Sequence, residues 1–443
     1  MKKRTSLLSL VLFLIVTFGA VAYFVSSFAH KRLNVILITL DSLRPDHLGC
    51  YGWCYGYRRN TSPTIDRLAQ EGILCTQAVS NATFTWPSIN CMMTGRYPLS
   101  DQVFFFDEFL PHPTWALPHL LKKAGYTTAF FSNHVGLSRF NESLGKAFDA
   151  FIVKGDGVAA DGPTKGAMAW IKANARKKFF LWLFYFDTHE DFVGFPKSRE
   201  GILPEDARKY VRAYDDHIRY VDAQIALLIQ HLKNLGMQQR TMIIVTSDHG
   251  ELLGEHADQY TYFKHGDRPW EFLIRVPLVL YCPKVLPKGR IVQQQVQHID
   301  LPSTICDVLG IRIHRAFEGK SLLATMKKGG ADPGYAFIES RSVPGGFLTA
   351  SETPEYQYAV RTTDWKLMFN RFTDGTAYYK FYHLSSDPLE ASDLLMAEQG
   401  RVAVFKAALD DFLLRQAKYT AGPVRKALTQ EQANALKSLG YAQ

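Results

Sequence analysis

Thr85 is followed by proline two places later and serine three places later, within the stretch Thr83–Pro98 (TFTWPSINCMMTGRYP), and is the first candidate for chemistry. Pro87 fixes its own φ and biases Trp86 away from helix, so Thr85 is expected just before a change of chain direction. A short helix is expected from Cys91 to Thr94, closed by Gly95. A hydroxyl at such a helix start faces unpaired backbone N–H groups, which favour anions. By itself this pattern is an ordinary turn or cap. Partners of the right type exist elsewhere: Asp41, His189, the pair Asp248-His249 before Gly250, and the histidines His256 and His265. Carboxylate oxygen and imidazole nitrogen together suit a hard or borderline divalent ion. Gly250 permits the tight turn that would aim Asp248 and His249 at one ion.

The elements that must position these residues alternate. Asn34–Leu40 is a continuous apolar run ending in Asp41, and reads as a buried parallel strand. Tyr126–Phe131 ends in Ser132-Asn133-His134, Phe179–Phe186 ends in Asp187-Thr188-His189, and Thr241–Thr246 ends in Ser247-Asp248-His249. Between them, helical patterns cover Thr64–Gly72, Trp115–Gly125, Ala159–Lys177 and Glu205–Leu235, and Val276–Tyr281 with the helix Leu301–Leu309 continues the alternation. Such alternation predicts an α/β fold, a mostly parallel central sheet with helices on both faces. Ligands bind beyond the carboxyl ends of such strands, and Asp41, Asn133, Asp187, His189, Asp248 and His249 all fall there. After about Ala336 the pattern changes to two strands, Val360–Phe369 and Tyr378–Leu384, joined by a glycine-containing turn, and a helix from Met396 to Lys418. The expected division is residues 1–32, a catalytic domain at 33–335, and a small antiparallel α+β subdomain at 336–443.

The 443-residue chain is 47% hydrophobic and 13% aromatic, which is globular rather than disordered. Five of its +9 net charges (Lys2, Lys3, Arg4, Lys31, Arg32) flank a single apolar segment, Ser6–Ala29. No basic face interleaved with aromatics remains, so nucleic acid is not an expected partner. The apolar segment is about long enough to span a bilayer at ~1.5 Å per residue. Its basic flank would stay cytoplasmic and place the body outside. A membrane anchor is the reading favoured, with a signal cleaved after Ser27-Phe28-Ala29 and a secreted product as the rival. Six cysteines are too few for a disulfide scaffold. Cys50-x-x-x-Cys54 lacks a second pair at zinc spacing, leaving a local disulfide or two small core residues.

The constellation resembles the sulfatase family of the alkaline phosphatase superfamily. The resemblance rests on NVILITLDSLRPDHLGCYG (34–52), TWPSINCMMTGRYP (85–98), GYTTAFFSN (125–133), FFLWLFYFDTH (179–189) and YDDHIRYVD (214–222). It continues through SDHGELLGEH (247–256), EFLIRVPL (271–278), YHLSSDPLE (382–390) and LKSLGY (436–441). It implies an alkaline-phosphatase-like fold, and a divalent metal (Zn, Mn, Ca or Mg; one or two ions) held by Asp41, Thr85, Asp248 and His249. It further implies His189 and His265 as groups that contact the substrate anion or a second ion, and Asn133 and His256 as anion-binding positions. Sulfate-ester hydrolases of this family usually carry Cys or Ser, oxidised to formylglycine, where this chain has Thr85, and an arginine where it has Ile89. A lysine common in the family is replaced near Asn133, another aligns at or beside His265, and Ser42 stands where many members have a second aspartate. Threonine carries a methyl on Cβ and cannot become an aldehyde. A threonine nucleophile instead resembles the phosphoryl-handling branches: phosphoethanolamine and phosphoglycerol transferases, and phosphodiesterases. The expectation is an exported, metal-dependent ester hydrolase acting on a small anionic ester or an envelope glycan or lipid. Transfer to an acceptor, sulfate-ester hydrolysis and a degenerate non-catalytic member remain as alternatives. Arg44, Asp46 and Arg96 are expected to form structural ion pairs.

Overall fold

Side chains alternate across the first strand, β1 (Asn34–Leu40), and that alternation builds two cores. Val35 and Leu37 join one apolar cluster with Phe180, Trp182, Phe184, Met242 and Ile244. Ile36, Ile38 and Leu40 join a second with Leu181, Leu183, Ile243 and Val245. A strand buried on both faces is the signature of a parallel sheet covered by helices. The computed structural model describes residues 33–425, apart from 53–58, 112, 156–157, 190–192, 195–203, 256–264, 267, 331–333, 342–355, 373 and 420–422. The apolar segment Ser6–Ala29, Cys54, His256 and the tail motif 436–441 therefore lie outside the described residues. Among the described residues, no helix is long and apolar enough to cross a membrane.

The other strands are β2 (Ile73–Val79), β3 (Glu108–Phe109), β4 (Thr127–Ser132), β5 (Ala150–Val153), β6 (Phe179–Tyr185), β7 (Thr241–Ser247), β8 (Leu278–Tyr281) and β9 (Arg290–Gln297). Seven of these join β1 in one eight-stranded sheet in the order β5-β4-β6-β1-β7-β8-β2-β9. All neighbours are parallel except β8, which runs antiparallel to both β7 and β2. Leu40 sits level with Tyr185 on one side and with Ser247 on the other, so β6, β1 and β7 end at one edge. The long helix Pro204–Asn234 covers one face, where Tyr214, Ile218, Val221, Ile225 and Leu228 enter the second core. The alternation of the sequence thus gives the expected α/β layers. Val276–Tyr281, expected to continue the parallel pattern, instead reverses direction, and β2, β5 and β9 are additional strands.

A second, antiparallel sheet follows, β10 (Ala336–Arg341), β11 (Tyr356–Arg361), β12 (Trp365–Arg371) and β13 (Ala377–His383). The stretch Val360–Phe369, expected as one strand, is broken between β11 and β12. There Thr362 closes a tight turn by donating its N–H to the Trp365 carbonyl at 2.9 Å and accepting the Trp365 N–H on Oγ1 at 3.1 Å. The helix Gln399–Gln416 packs Val402, Phe405, Leu409 and Phe412 on one face of this sheet. The other face packs Ile338, Ala359, Met368 and Tyr382 against Trp270, Leu252 and Leu273 of the first unit. The edge strand β14 (Val424–Arg425) pairs with β3.

Four buried charges pin the two sheets together. Glu271 takes Arg361 in a two-pronged pair at 2.8 and 2.9 Å and Lys366 at 3.3 Å, and Lys366 reaches Glu390 at 2.5 Å. Burial alone would raise the Glu271 carboxyl; Arg361 and Lys366 outweigh it and hold the group below its ordinary value. Its stabilising effect is therefore complete near neutrality and is lost as pH falls below the usual carboxylate range. Arg361→Met leaves a buried carboxylate short of its main partner, and should cost about 3–5 kcal/mol in urea unfolding near neutral pH. The gap between variant and wild type should narrow as the medium is acidified. An unchanged unfolding midpoint would show that these charges do not hold the sheets together.

Candidate active site

The helix that carries Thr85 begins earlier than its proline suggests. The helix spans Thr85–Thr94, with Phe84 as its extended N-cap, so Trp86 is helical rather than bent away. Pro87 falls in the first turn, where its missing N–H would have had no intrahelical acceptor anyway. The first closing bond runs from the Ser88 N–H to the Phe84 carbonyl at 3.2 Å. Gly95, at φ 64°, ends the helix as expected and returns its N–H to Cys91. Thr85 is thus the first helical residue, at the end where N–H groups lack partners. Below it, the Ser88 hydroxyl donates to the Asp248 carbonyl at 2.6 Å, tying this helix to the end of β7. His298, whose pKa burial depresses to about 3, closes the same network at 3.2 Å from Ser88 Oγ.

Asp41, Thr85, Asp248, His249 and His189 are fully buried and meet at the carboxyl edge of β1, β6 and β7. Thr85 Oγ1 lies 3.0 Å from His249 Nε2. That nitrogen is 3.7 Å from Asp41 Oδ1 and 3.5 Å from Asp248 Oδ2. Its partner Nδ1 lies 2.8 Å from the Gly250 carbonyl, which requires the proton on Nδ1 and leaves a lone pair on Nε2. Burial, more than any neighbour, lowers the His249 pKa and keeps the ring neutral, the form that ligates metals. Asp248 Oδ1 accepts the N–H groups of Ser42 at 3.1 Å and His249 at 2.9 Å, while Oδ2 accepts no hydrogen bond. One ligand atom from each of Asp41, Asp248 and His249 lies within 4.8 Å of the others. A buried Asp–Asp–His group of this kind, with an orphaned carboxylate oxygen and a lone pair turned inward, could hold a divalent ion. Ser42 brings no third carboxylate; its hydroxyl donates to Asp41 Oδ1 at 3.0 Å instead.

Further imidazoles stand around this group. The His265 ring is 4.6 Å from that of His249 and 4.9 Å from that of His189, measured between centroids. His189 stacks on Phe186 at 4.4 Å. Two contributors were not singled out by sequence reasoning. Glu251 Oε2 lies 3.0 Å from His265 Nδ1, fixing the proton there and turning Nε2 the other way. His134 accepts the Gly136 N–H on Nδ1 at 3.3 Å, so its Nε2 carries the proton, 4.0 Å from Asp41 Oδ2. Burial, helped by the neighbouring histidines, pushes the His134 pKa well down and leaves it a neutral donor. Both stand beside residues already marked, at the ends of β4 and β7, which is the signal that could have found them.

Asn133 is placed apart from this cluster. Its amide donates to Asp187 Oδ2 at 2.8 Å and to the Val158 carbonyl at 2.9 Å, and its oxygen accepts the Phe186 N–H at 2.9 Å. Those bonds lock the ends of β4 and β6 together and consume the side chain, which leaves it nothing for an anion. Arg44 and Arg96 behave as structural cations. Arg44 grips Asp46 at 3.0 and 2.5 Å, and Arg96 meets Asp101 at 2.7 Å. Burial would raise the Asp46 carboxyl, but Arg44 brings it down to about 2.

With this geometry in hand, the comparisons with known proteins are specific. Residues 33–311 match the sulfatase family model, and residues 265–417 match that of the N-sulphoglucosamine sulphohydrolase C-terminal region. Among curated relatives, the ulvan-active sulfatase of Formosa agariphila is 24% identical, over 76% of this chain and 74% of its own length. The N-acetylglucosamine-6-O-sulfatase of Bacteroides thetaiotaomicron is 26% identical, over 82% of this chain and 83% of its own. Among solved structures, the phosphonate monoester hydrolase of Agrobacterium radiobacter shares the fold at TM-score 0.71 and 19% identity, covering 90% of this chain and 100% of that one. A 2-O GAG sulfatase does so at TM-score 0.72 and 19% identity, covering 89% and 95%. The buried Asp–Asp–His group at the strand ends and the match across both sheets have one conclusion: this chain belongs to the sulfatase family, and so to the hydrolases that act on ester bonds.

Proposed function

We propose that the chain is an exported, membrane-tethered, metal-dependent ester hydrolase that uses Thr85 as its nucleophile on phosphorus rather than sulfur. The observation that carries this reading is Thr85 Oγ1 at 3.0 Å from His249 Nε2, beside the inward-facing oxygens of Asp41 and Asp248. A divalent ion held by Asp41, Asp248 and His249 would lower the pKa of the Thr85 hydroxyl and neutralise charge on the transferring oxygens. Thr85 gives up its hydroxyl proton as Oγ attacks phosphorus, the bond to the leaving oxygen breaks, and His265 or His189 relays that proton to the leaving oxygen. His265, whose Nδ1 is held by Glu251 at 3.0 Å and whose Nε2 keeps a lone pair to receive it, is the better suited of the two. Water next attacks the phosphothreonine and gives one proton to the same histidine, which returns it to Thr85 Oγ as the bond to phosphorus breaks and phosphate leaves.

The choice of phosphorus follows from the side chain. A hydrated aldehyde can expel its ester by breaking a C–O bond with its second hydroxyl. Thr85 has one oxygen and a methyl on Cβ, so every turnover must proceed by displacement at the central atom. Phosphorus accepts such in-line displacement readily. The name of the relative N-acetylglucosamine-6-O-sulfatase supports an anionic ester carried on a sugar as the substrate. Export and tethering rest on the Ser6–Ala29 run and its basic flanks.

The purified full chain should hydrolyse an aryl phosphate or bis-aryl phosphate faster than the matching aryl sulfate, and lose that activity in chelator until a divalent ion is restored. Sulfate turnover above both phosphate activities refutes the phosphorus assignment, and activity on neither, with no bound metal, points to a non-catalytic member. Thr85→Ala should lower kcat by at least about 1,000-fold, whereas Thr85→Ser keeps part of it. An Ala variant that turns over normally would remove Thr85 from the mechanism. Glu251→Gln should lower kcat about 10–100-fold through the lost orientation of His265; unchanged kinetics would assign proton donation to another group.

A further inference from the structure

We propose that Tyr214, on the long helix far along the chain, is a positioning residue that holds the metal-facing carboxylates in register. The turn after β1 carries Asp41, and it is unusual. Ser42 has φ 56°, the left-handed conformation that a residue with a Cβ adopts only at a cost. That conformation is what lets one residue serve both carboxylates. The Ser42 hydroxyl donates to Asp41 Oδ1 at 3.0 Å while its N–H donates to Asp248 Oδ1 at 3.1 Å. A Ser42 relaxed to the ordinary extended region would break this bridge between β1 and β7.

The clamp is a single hydroxyl. Tyr214 OH donates to the Ser42 carbonyl at 2.8 Å and accepts the Arg44 N–H at 2.9 Å, spanning the turn from one side. From the other side the Leu43 N–H is taken by Ser247 Oγ at 2.8 Å. Tyr214 is fully buried, so water does not compete for these two backbone groups. Its ring meets the His47 edge at 5.1 Å, and the next residue, Asp215, takes His47 Nδ1 at 2.7 Å. The helix thereby fixes Ser42 through His47 as a block. The turn is held ready before any ion arrives.

This inference rests on the metal reading above, and its test separates the two. Mn²⁺ is titrated calorimetrically into the metal-free full chain, wild type and Tyr214→Phe, with thermal melting of both in chelator. The Phe variant should bind Mn²⁺ about 10–100-fold more weakly while still melting cooperatively without metal. Equal affinity overturns the proposal, as does a variant whose only change is a lower melting temperature. Native hydrogen exchange on the unmutated chain gives an independent check. The Arg44 amide should be protected in the metal-free protein, and free exchange there until Mn²⁺ is added also overturns it. A wild type that takes up no Mn²⁺ removes the metal reading, and the proposal with it.

Discussion

Three acidic side chains, Asp41, Asp248 and Glu251, are completely buried within a ring of histidines. Taking carboxylates out of water is costly unless a positive charge or several donors replace the solvent. Burial keeps His134 and His249 neutral, so these two supply dipoles and lone pairs but little net charge. A divalent cation held by Asp41, Asp248 and His249 would offset that imbalance. β1 and β7 deliver Asp41 and Asp248 side by side, and the ends of these strands are fastened to each other by Ser42, Leu43 and Ser247. The Thr188 hydroxyl at the end of β6 fastens the Asp41 carbonyl as well.

The part of this arrangement that sequence reveals is the part that depends on one strand at a time. Asn34–Leu40 and Thr241–Thr246 are apolar runs that no amphipathic helix would show, and a carboxylate at the end of each can be read directly. What joins different elements is less legible. Glu251 matters because His265 folds back onto it from 14 residues away, and His134 matters because β4 lies two strands from β1. Asn133 carried the better chemistry on paper, yet its amide is consumed by Asp187 and the backbone, and its neighbour faces the site. The start of the helix at Thr85 was masked by Pro87, whose helix-breaking tendency vanishes in a first turn. Val360–Phe369 looked continuous because the turn at Thr362 uses a β-branched residue that belongs equally well in a strand.

The resemblance between this chain and its relatives likewise divides by scale. The fold is shared at low identity because apolar strands tolerate exchange among similar side chains. Position 85 differs in kind: threonine carries a methyl on the carbon that bears its hydroxyl, so under the reading proposed above a bound ester could leave only by displacement at its central atom.

The seam between the two sheets runs along the segment that leads into Thr85. Glu339 of β10 donates its N–H to the Asn81 carbonyl at 3.0 Å. Next to it, Ser340 Oγ accepts from Thr83 Oγ1 at 2.8 Å and donates to the Gly266 carbonyl at 3.0 Å. Residues 257 positions apart thus share one hydroxyl, two places from Thr85 and one from His265. The second sheet therefore supports the segment that leads into Thr85 and is not a module appended to a finished first unit. A joint made near residue 335 would exchange that support along with the surface beyond it.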